Sequence, residues 1–572
     1  MTTADKPLEF RGRRPTALSF GTSGLRGLVS DITDLEAYIN TRGFLDYLFQ
    51  IGDAQPGKTI SIAGDLRPST DSPSRSIMRA VARAIEDAGL EVEHLGTIPT
   101  PALACYALAN ERASVMVTGS HIPFDRNGIK FSKKSGEVLK EDEPGILAAV
   151  AKVREREYLC PPAASLFDDD GMFKSGEGHP LPPARESARK AYLKRYLDFF
   201  PTRGLAGKRI VFFQHSAVGR DLLVELFDAL GAEVHPAGRS EEFIAIDTED
   251  VTEERLRQMQ EMIDDVSRRH GSIDALASTD GDSDRPLLVG VGGDGRAKFF
   301  GGDLLGIVVA EYLNADGVAV PVSANDAVDL QLAKRGITPT KTAIGSPYVI
   351  RGMQEVISIK KGQRVVGWEA NGGFMTGTDI EKGGRTLAPL PTRDAALPIV
   401  SALFASIEHG SSLVDLFSEL PPRFSKAGLI DHFPQETGRT LIQRFTPEDQ
   451  RIQQMDISGD EVAVVLKGGQ SVSASRGVTQ QAQAIRKELG ACFDSQHGFG
   501  EIIRINVVDG VRITFSNGDI AHIRPSGNAP QLRIYAVAGS QARADDIVRM
   551  GIHEPDGLLR QLESTVQRHR LS

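Results

Sequence analysis

The chain has 572 residues, of which 40% are hydrophobic and 25% are charged, a composition typical of soluble globular proteins. Its length predicts several domains, since single domains usually have about 100–150 residues. The formal net charge of −10 argues against nucleic acid and anionic membranes as partners, because both attract basic surfaces.

Neither targeting nor disulfide signals are recognisable. The first 15 residues lack the apolar stretch of a secretion signal, and no segment reaches the ~20 apolar residues of a membrane span. Three cysteines far apart suggest neither a disulfide framework nor a zinc cluster. We therefore expect a cytoplasmic protein.

One pattern occurs three times: an apolar strand, a polar loop, and an amphipathic helix that ends at a glycine. Strands that alternate with helices in this way predict α/β layers with mostly parallel strands. The first helix is expected to start near Ser72-Pro73. The three copies begin at residues 59, 210 and 318 and end at Gly89, Gly231 and Gly336.

The remaining segments set the predicted domain boundaries. Residues 154–189 are rich in proline and interrupt the pattern, so we interpret them as a linker or an insertion. After about residue 411 the pattern changes to a mixed α+β region with a final helix near 542–550. The predicted domains are 1–160, 189–297, 298–410 and 411–572, with 161–188 as the linker or insertion.

Two loops in the first domain are candidates for phosphate chemistry. Residues 20–27 contain three glycines and Arg26, which could cradle a phosphate, although a plain glycine-rich turn is the alternative. Ser120 follows the apolar run 114–117 and precedes Lys130. Most serines in such turns are caps, and no nucleophile-elbow pattern surrounds Ser120, so an ordinary serine hydrolase is disfavoured. A phosphorylated Ser120 would need cationic partners such as Lys130.

The segment 280–286 places Asp280, Asp282 and Asp284 at alternate positions of a tight loop after an apolar run. Hard oxygen ligands with this spacing suit magnesium. A calcium EF-hand would need glycine at loop position six and glutamate at twelve, where this chain has Arg285 and Val291. A solvated acidic turn without a metal is the other alternative.

Two later loops carry groups that bind sugars and phosphates. Glu369 and Asn371 lie between glycines, and a carboxylate with an amide suits sugar hydroxyls, although a surface turn is the alternative. A rigid turn is also the alternative for residues 524–530, which offer a receptor for a phosphate that does not react. Its candidate groups are Arg524, Ser526, Gly527 and Asn528.

Taken in this order, the five loops resemble the α-D-phosphohexomutase superfamily, and most of all the bacterial phosphomannomutases and phosphoglucomutases. The resemblance implies three similar mixed α/β domains and a C-terminal α+β domain around a central cleft. It also implies phosphorylation of Ser120, one Mg²⁺ on the three aspartates, and a phosphate oxygen on Ser120 as a further ligand. The implied catalytic residues are Ser120, His121, Lys130, Arg26 and Arg285.

By the same resemblance, Lys130 would act as acid and base, and neighbouring cations would need to lower its pKa. Glu369 and Asn371 would bind the sugar, and the loop at Arg524 would bind the second phosphate. The expected reaction interconverts hexose 6-phosphate and hexose 1-phosphate of mannose or glucose, with hexose 1,6-bisphosphate as intermediate and activator. A monomer or homodimer is expected.

Several departures from the family pattern leave the substrate open. Asn371 stands where serine is common, Asn528 where threonine is common, and Gly119 where alanine is frequent. The alternatives are a phosphoglucosamine mutase, a hexose-phosphate-binding relative without catalysis, and a phosphatase.

Overall fold

A computed structural model describes residues 9–12, 18–21, 24–72, 75–249, 251–359, 362–526 and 530–571. The chain forms two compact units, Met1–Gly317 with Gly345–Phe417, and Val318–Ile344 with Ser418–Ser572. Among the helices in these ranges, none is both long enough and apolar enough to cross a bilayer. The division into four domains stays a prediction.

Strands and helices are numbered along the chain. The strands are β1 (Ser19–Phe20), β2 (Leu25–Leu28), β3 (Thr59–Gly64), β4 (Glu91–Thr97), β5 (Ser114–Val117), β6 (Arg126–Lys133), β7 (Gly136–Glu137), β8 (Arg209–His215), β9 (Glu233–Arg239), β10 (Ala275–Thr279), β11 (Pro286–Val291), β12 (Ala297–Phe299), β13 (Gly317–Pro321), β14 (Thr340–Thr342), β15 (Val365–Trp368), β16 (Phe374–Thr376), β17 (Ile380–Lys382), β18 (Arg385–Leu387), β19 (Leu390–Asp394), β20 (Phe424–Ile430), β21 (Ile452–Ser458), β22 (Glu461–Leu466), β23 (Ser471–Ser473), β24 (Ile502–Asn506), β25 (Val511–Phe515), β26 (Ile520–Pro525) and β27 (Leu532–Ala538). The helices are α1 (Asp34–Ile51), α2 (Ile77–Asp87), α3 (Thr100–Ala109), α4 (Glu143–Leu159), α5 (Ser187–Phe199), α6 (Arg220–Ala229), α7 (Glu253–His270), α8 (Gly302–Tyr312), α9 (Ala327–Ala333), α10 (Ser346–Ile359), α11 (Ala396–His409), α12 (Leu413–Ser418), α13 (Gln435–Arg444), α14 (Arg476–Gly490), α15 (Gln541–Ile552) and α16 (Leu558–Leu571).

The first sheet has the strand order β1-β2-β6-β5-β3-β4, with β7 beside β6. Strand β3 is parallel to β4 and β5, whereas β6 is antiparallel to β5 and β2. The strands are therefore mixed and not mostly parallel as expected, because β6 returns directly after the short serine loop. Apolar side chains such as Phe44 and Phe131, stacked 4.5 Å apart, fix helix α1 on this sheet.

The second sheet has the order β12-β11-β10-β8-β9. Strand β8 is parallel to β9 and β10, and β10 forms an antiparallel hairpin with β11. Buried residues such as Val211, Leu276 and Val289 form its core. The hairpin turn between β10 and β11 is the aspartate loop of residues 280–285.

A third group of strands, β15, β16 and β19, is antiparallel and presents the loop 369–373 between β15 and β16. Trp368 is completely buried and stacks on Phe374 at 5.8 Å, which agrees with a role in packing. A Cβ atom at Gly306 of helix α8 would lie 2.4 Å from the indole ring, so the close approach of α8 requires glycine there.

The segment expected to be a linker or insertion was 161–188, and residues 160–186 form an ordered strap against the first sheet's helices. The interruption of the pattern is shorter than 154–189, because helix α4 continues to Leu159 and helix α5 begins at Ser187. Phe167 is completely buried and stacks on Phe173 at 5.2 Å. The Leu35 amide donates to the Gly171 carbonyl (2.9 Å), and the Phe173 amide donates to Asp34 Oδ2 (3.0 Å). Backbone and aromatic contacts therefore fix this segment on helix α1. Such contacts do not produce a periodic sequence pattern, so the sequence did not predict them.

The second compact unit is built on an antiparallel sheet of order β20-β27-β26-β25-β24-β21-β22-β23. Strands β13 and β14 of this unit form a parallel pair. Its core contains Phe433, Met455, Phe515 and Ile534. The predicted helix near 542–550 is α15, but it is not the final helix, because α16 follows it.

The predicted start of helix α2 is also wrong. Pro73 lies outside the described residues, and the helix begins at Ile77. Ser76 is the N-cap, whose Oγ accepts the Arg79 amide at 3.3 Å. Ser72 instead accepts the Arg75 amide at 3.2 Å in a local turn, which is a common alternative use of serine.

Candidate active site

The loop after strand β5 holds Ser120 in a buried and constrained position. Its φ of 53° lies in the left-handed region, which costs a residue with a side chain roughly 1–3 kcal/mol unless its surroundings hold it. The Ser120 amide donates to Thr118 Oγ1 (2.8 Å), and its hydroxyl donates to Asp280 Oδ2 (2.7 Å). The predicted nucleophile is therefore in direct contact with the predicted metal loop.

Asp280, Asp282 and Asp284 are all at most 1% exposed, so they do not form a solvated acidic turn. One oxygen from each carboxylate lies within 4.8 Å of the other two. Burial, together with Asp282 and Asp284, raises the pKa of Asp280 well above its usual range. Oδ1 of Asp282 and Oδ1 of Asp284 are buried and accept no hydrogen bond from the described residues. This set of hard oxygen atoms fits a divalent cation such as Mg²⁺.

Lys130 extends from strand β6 to the same carboxylates. Its ammonium lies 2.6 Å from Asp282 Oδ2 and 2.8 Å from Asp284 Oδ2. Burial lowers the pKa of Lys130, but the two carboxylates raise it more, so the pKa lies above its usual value. A lowered pKa was expected for proton exchange by Lys130, and the pKa is raised instead because the nearest charges are carboxylates and not cations.

Arg285 and Arg26 bring positive charge to the same region. Arg285 Nε lies 3.9 Å from Asp280 Oδ2 and 3.8 Å from Asp284 Oδ1. Burial, followed by Arg285 and Arg393, lowers the pKa of Arg26 to about 10, so Arg26 remains a cation near neutral pH. These guanidinium groups are suited to bind a phosphoryl group beside Ser120.

His121 is the residue next to the serine. Its Nδ1 lies 3.4 Å from Ser120 Oγ. Burial, together with Arg285 and Arg26, lowers the pKa of His121 to about 2. The imidazole is therefore neutral at physiological pH and can donate or accept one hydrogen bond without adding charge.

Arg393 of strand β19 is a further site residue that the sequence analysis missed. Its guanidinium is 2% exposed and donates to Asp284 Oδ2 from Nε (3.1 Å) and Nη2 (2.9 Å). Nη1 donates to Glu369 Oε2 at 2.9 Å. Arg393 thus joins the metal loop to the sugar loop, and the available signal was an arginine inside the otherwise buried strand Leu390–Asp394.

The two predicted sugar-binding residues lie in the loop that Arg393 contacts, and some of their polar atoms already form hydrogen bonds within the protein. Glu369 and Asn371 are each 6% exposed. Asn371 Oδ1 accepts the Gly373 amide (3.0 Å), and the Asn371 carbonyl accepts the Thr248 hydroxyl (2.9 Å). The side-chain oxygen of Asn371 therefore shapes its own turn, and the amide NH₂ is the group suited to a sugar.

The predicted phosphate loop belongs to the second compact unit. Arg524 Nε donates to Asp509 Oδ1 at 2.8 Å. Burial lowers the pKa of Arg524, and Asp509 raises it more, so the guanidinium stays charged. Ser526 follows strand β26, and the predicted partners Gly527 and Asn528 lie outside the described residues.

A second group with metal-ligand atoms consists of Glu233 and His235 on strand β9 and His270 at the end of helix α7. The two imidazole rings lie 4.1 Å apart. Glu233 Oε2, however, is ion-paired with Arg209 Nε at 2.9 Å, and Oε1 lies 3.1 Å from His235 Nε2. Because this carboxylate already has a cationic partner, the aspartate loop is the stronger metal candidate.

Family models match three parts of the chain: phosphoglucomutase/phosphomannomutase α/β/α domain I at residues 17–157, domain III at 301–424 and the C-terminal domain at 461–551. The chain is 34% identical to a phosphomannomutase of Sinorhizobium fredii over 93% of this chain and 98% of that protein. A phosphomannomutase of Salmonella muenchen is 35% identical over 93% and 94%. The chain belongs to the phosphoglucomutase/phosphomannomutase family.

A solved phosphoglucomutase/phosphomannomutase family protein of Burkholderia thailandensis has the same fold. The TM-score is 0.64 at 17% identity, over 96% of this chain and 98% of that one. The expected multi-domain α/β fold class is thereby confirmed. The protein is a mutase, an intramolecular phosphotransferase that acts as a phosphohexomutase.

Proposed function

We propose that this enzyme interconverts the 6-phosphate and 1-phosphate of mannose, glucose or both, through phosphorylated Ser120 and a hexose 1,6-bisphosphate. The hydrogen bond of 2.7 Å from the Ser120 hydroxyl to Asp280 carries the proposal. A buried hydroxyl on a carboxylate cluster, surrounded by three guanidinium groups and one ammonium, is suited to accept and release a phosphoryl group.

In the first transfer, the bond between phosphorus and Ser120 Oγ breaks while phosphorus bonds to the free hydroxyl oxygen of a hexose monophosphate. Lys130, which its carboxylates keep charged, is our candidate for donating a proton to Ser120 Oγ as this bond breaks and for taking the proton of the attacking hydroxyl in its place. The bisphosphate then turns over and returns its other phosphoryl group to Ser120, and the proton returns to the hexose oxygen. Phosphorylated Ser120 is thereby restored.

Asp280, Asp282 and Asp284 would hold Mg²⁺, which supplies charge neutralisation for the transferring phosphoryl group. Arg26, Arg285 and His121 would bind the phosphoryl oxygens. Arg393 would hold Asp284 and Glu369 in fixed positions through its hydrogen bonds of 2.9–3.1 Å.

Glu369 and Asn371 would bind hydroxyl groups of the sugar, while Arg524, Ser526, Gly527 and Asn528 would bind the phosphate that does not react. We also propose that these groups belong to four domains, with boundaries at 1–160, 189–297, 298–410 and 411–572. The mannose assignment is supported by the two relatives named phosphomannomutase, at 34% and 35% identity. Relatives named phosphoglucosamine mutase are 24–29% identical and cover less of the chain, so that substrate is our second candidate.

Intact-protein mass spectrometry after incubation with glucose 1,6-bisphosphate and Mg²⁺ tests the mechanism. We expect one added phosphoryl group on the natural protein and on the control Ser471→Ala, which alters an exposed serine, and none on Ser120→Ala. A natural protein that never gains the group would contradict the proposal.

Steady-state assays with mannose, glucose and glucosamine 1-phosphates, each with a trace of its bisphosphate, test the substrate. We expect the mannose or glucose compound to have the highest kcat/KM. Preference for the glucosamine compound would overturn the substrate assignment. Release of inorganic phosphate without isomer formation would indicate a phosphatase.

A further inference from the structure

Arg67, in the loop between strand β3 and helix α2, is a buried charged residue outside the five functional loops. Its guanidinium has five N–H groups, and each has an acceptor. Nε donates to Asp65 Oδ2 at 3.1 Å. The other four donate to backbone carbonyls of the loop after strand β5 and of the first residue of strand β6: Pro123 (2.8 Å), Arg126 (3.1 Å), Ser120 (2.9 Å) and Ile122 (2.6 Å).

Asp65 binds the same loop by accepting hydrogen bonds from the two residues that precede Ser120. Its Oδ2 accepts the Thr118 hydroxyl (2.7 Å) and the Gly119 amide (3.3 Å). Thr118 Oγ1 in turn accepts the Ser120 amide (2.8 Å). The side chains of Asp65 and Arg67 both have 0% exposure, so water does not compete for these bonds. One buried ion pair thus binds the backbone on both sides of Ser120.

The neighbours of Arg67 leave its guanidinium little freedom to move. A Cβ atom at Gly119 would lie 2.6 Å from Cζ and Nε of Arg67, so glycine makes room for this side chain. Arg67 Cζ also lies 3.8 Å from the centroid of the Phe243 ring, a cation–π contact. A Cβ at Gly281 would lie 3.0 Å from the same ring, so Phe243 borders the aspartate loop as well.

We propose that Arg67 is a positioning residue, which holds the Ser120 loop in its left-handed conformation and so sets the distance between Ser120 Oγ and the aspartate loop. This inference rests on the proposed role of Ser120. Four carbonyl groups that accept from one guanidinium hold the loop with Ser120 at positive φ, a conformation that a serine without these bonds would not keep. Gly119, which departs from the alanine frequent in the family, is explained by the same contact.

The position of a nucleophile matters more to its reaction rate than to substrate binding. A displacement of about 1 Å can slow a reaction about 100-fold. Lysine at position 67 keeps the charge but has three N–H donors and no planar fork, so it cannot bind all five acceptors. The loop would then be free to leave the geometry in which Ser120 contacts Asp280.

Arg67→Lys, with Arg42→Lys as control, tests the proposal in single-turnover transfer. Arg42 also pairs with an aspartate, Asp46 at 2.9 Å, but its other bond, to the Asp87 carbonyl (2.7 Å), is exposed and far in sequence from the Ser120 loop. Each protein is first phosphorylated with glucose 1,6-bisphosphate and then mixed with glucose 6-phosphate. For Arg67→Lys we expect transfer slowed roughly 100-fold, with the half-saturating glucose 6-phosphate concentration changed less than about threefold. The control should match the natural protein.

Gly119→Ala provides a second test that keeps the arginine and decides the question if Arg67→Lys does not fold. Its methyl group would displace the guanidinium, so we expect slower transfer with unchanged half-saturation and a shifted ³¹P resonance of the phosphoserine. Transfer at the natural rate in the folded variants, or slowing only in proportion to unfolded protein, would overturn the positioning role. A natural protein that acquires no phosphoryl group would instead overturn the proposed function.

Discussion

Among the described residues, two groups of three potential metal ligands lie at the second sheet and its helix α7, but only one has the surroundings of a metal site. Asp280, Asp282 and Asp284 are almost completely buried, and two of their oxygen atoms accept no hydrogen bond from the described residues. The group Glu233, His235 and His270 contains an exposed carboxylate that already pairs with Arg209. The difference teaches that burial and oxygen atoms without a hydrogen bond, more than residue type or spacing, distinguish a cation site.

The physical reason is the cost of burying like charges. Carboxylates that are close together in a buried site repel, and each loses its hydration. Lys130, Arg285 and Arg393 offset part of this cost at the aspartate loop. At the surface, water screens the charge of Glu233, so its ion pair with Arg209 is enough to balance this charge without a metal ion.

The largest expected effect is on metal binding at the aspartate loop. Asp282→Asn removes one charge while its amide oxygen can still accept the Thr100 hydroxyl, so the fold should persist. We expect Mg²⁺ affinity, measured by isothermal titration calorimetry, to fall at least about 100-fold, since even indirect partners of ligands often cost 10–100-fold. His235→Ala with His270→Ala is the matched control and should leave Mg²⁺ affinity and mutase activity unchanged. Equal losses of Mg²⁺ affinity in Asp282→Asn and in the histidine variant would contradict the assignment of the metal site to the aspartate loop.

A comparable effect, on stability, is expected when the buried arginine is removed. Arg393→Met leaves Asp284 and Glu369 with fewer counter-charges, and breaking a buried pair costs about 3–5 kcal/mol. Urea unfolding followed by Trp368 fluorescence measures this, because Trp368 is the chain's only tryptophan and adjoins Glu369. The matched control Arg209→Met removes the exposed partner of Glu233 and should not measurably shift the midpoint. Similar shifts of the unfolding midpoint in Arg393→Met and Arg209→Met would contradict the difference between the buried and the exposed ion pair.

The smallest expected effect is on the pH dependence of stability. It is tested by comparing two histidines on neighbouring strands. Burial lowers the pKa of His215 on β8 from 6.5 to about 4, partly opposed by the hydrogen bond from Nε2 to the Thr279 carbonyl (2.8 Å). As pH falls below 6.5, the unfolded chain binds a proton before the folded one does. Stability should therefore be lost between pH 6.5 and about 4, by on the order of 3 kcal/mol at about 1.4 kcal/mol per pKa unit.

Urea unfolding at several pH values checks this prediction. His215→Asn should make stability less dependent on pH across that interval. His235→Asn on strand β9 is the matched control, and an equally large change in that variant would show that the effect is not specific to His215. An unchanged pH dependence in His215→Asn would show that other groups cause the loss.

Local patterns predicted much of the fold and of the candidate site. The apolar runs at β3, β8 and β13 and the glycines that end the following helices were identified from sequence, as were the loops that carry Ser120 and the three aspartates. These features depend on residues close together in the chain, so periodicity and turn composition are sufficient to find them.

Contacts over long sequence separations could not be predicted in this way. Arg393 is 109 residues from Asp284, and Arg67 is 53 residues from Ser120. The local sequence shows at most that Arg393 interrupts an otherwise buried strand, and it does not show which carboxylates either arginine contacts. The raised pKa of Lys130 was missed for the same reason, since it depends on carboxylates that are distant in sequence.

The strap of residues 160–186 also changes how the chain could be shortened. Its prolines resemble those of a dispensable connection, yet Phe167 is buried against Tyr38 and Phe173. A deletion would leave Tyr38 of helix α1 open to water on the side that Phe167 covers, and exposed apolar patches promote association between chains. We therefore expect insertions to be tolerated at exposed strap positions, whereas loss of the strap would yield an enzyme that aggregates.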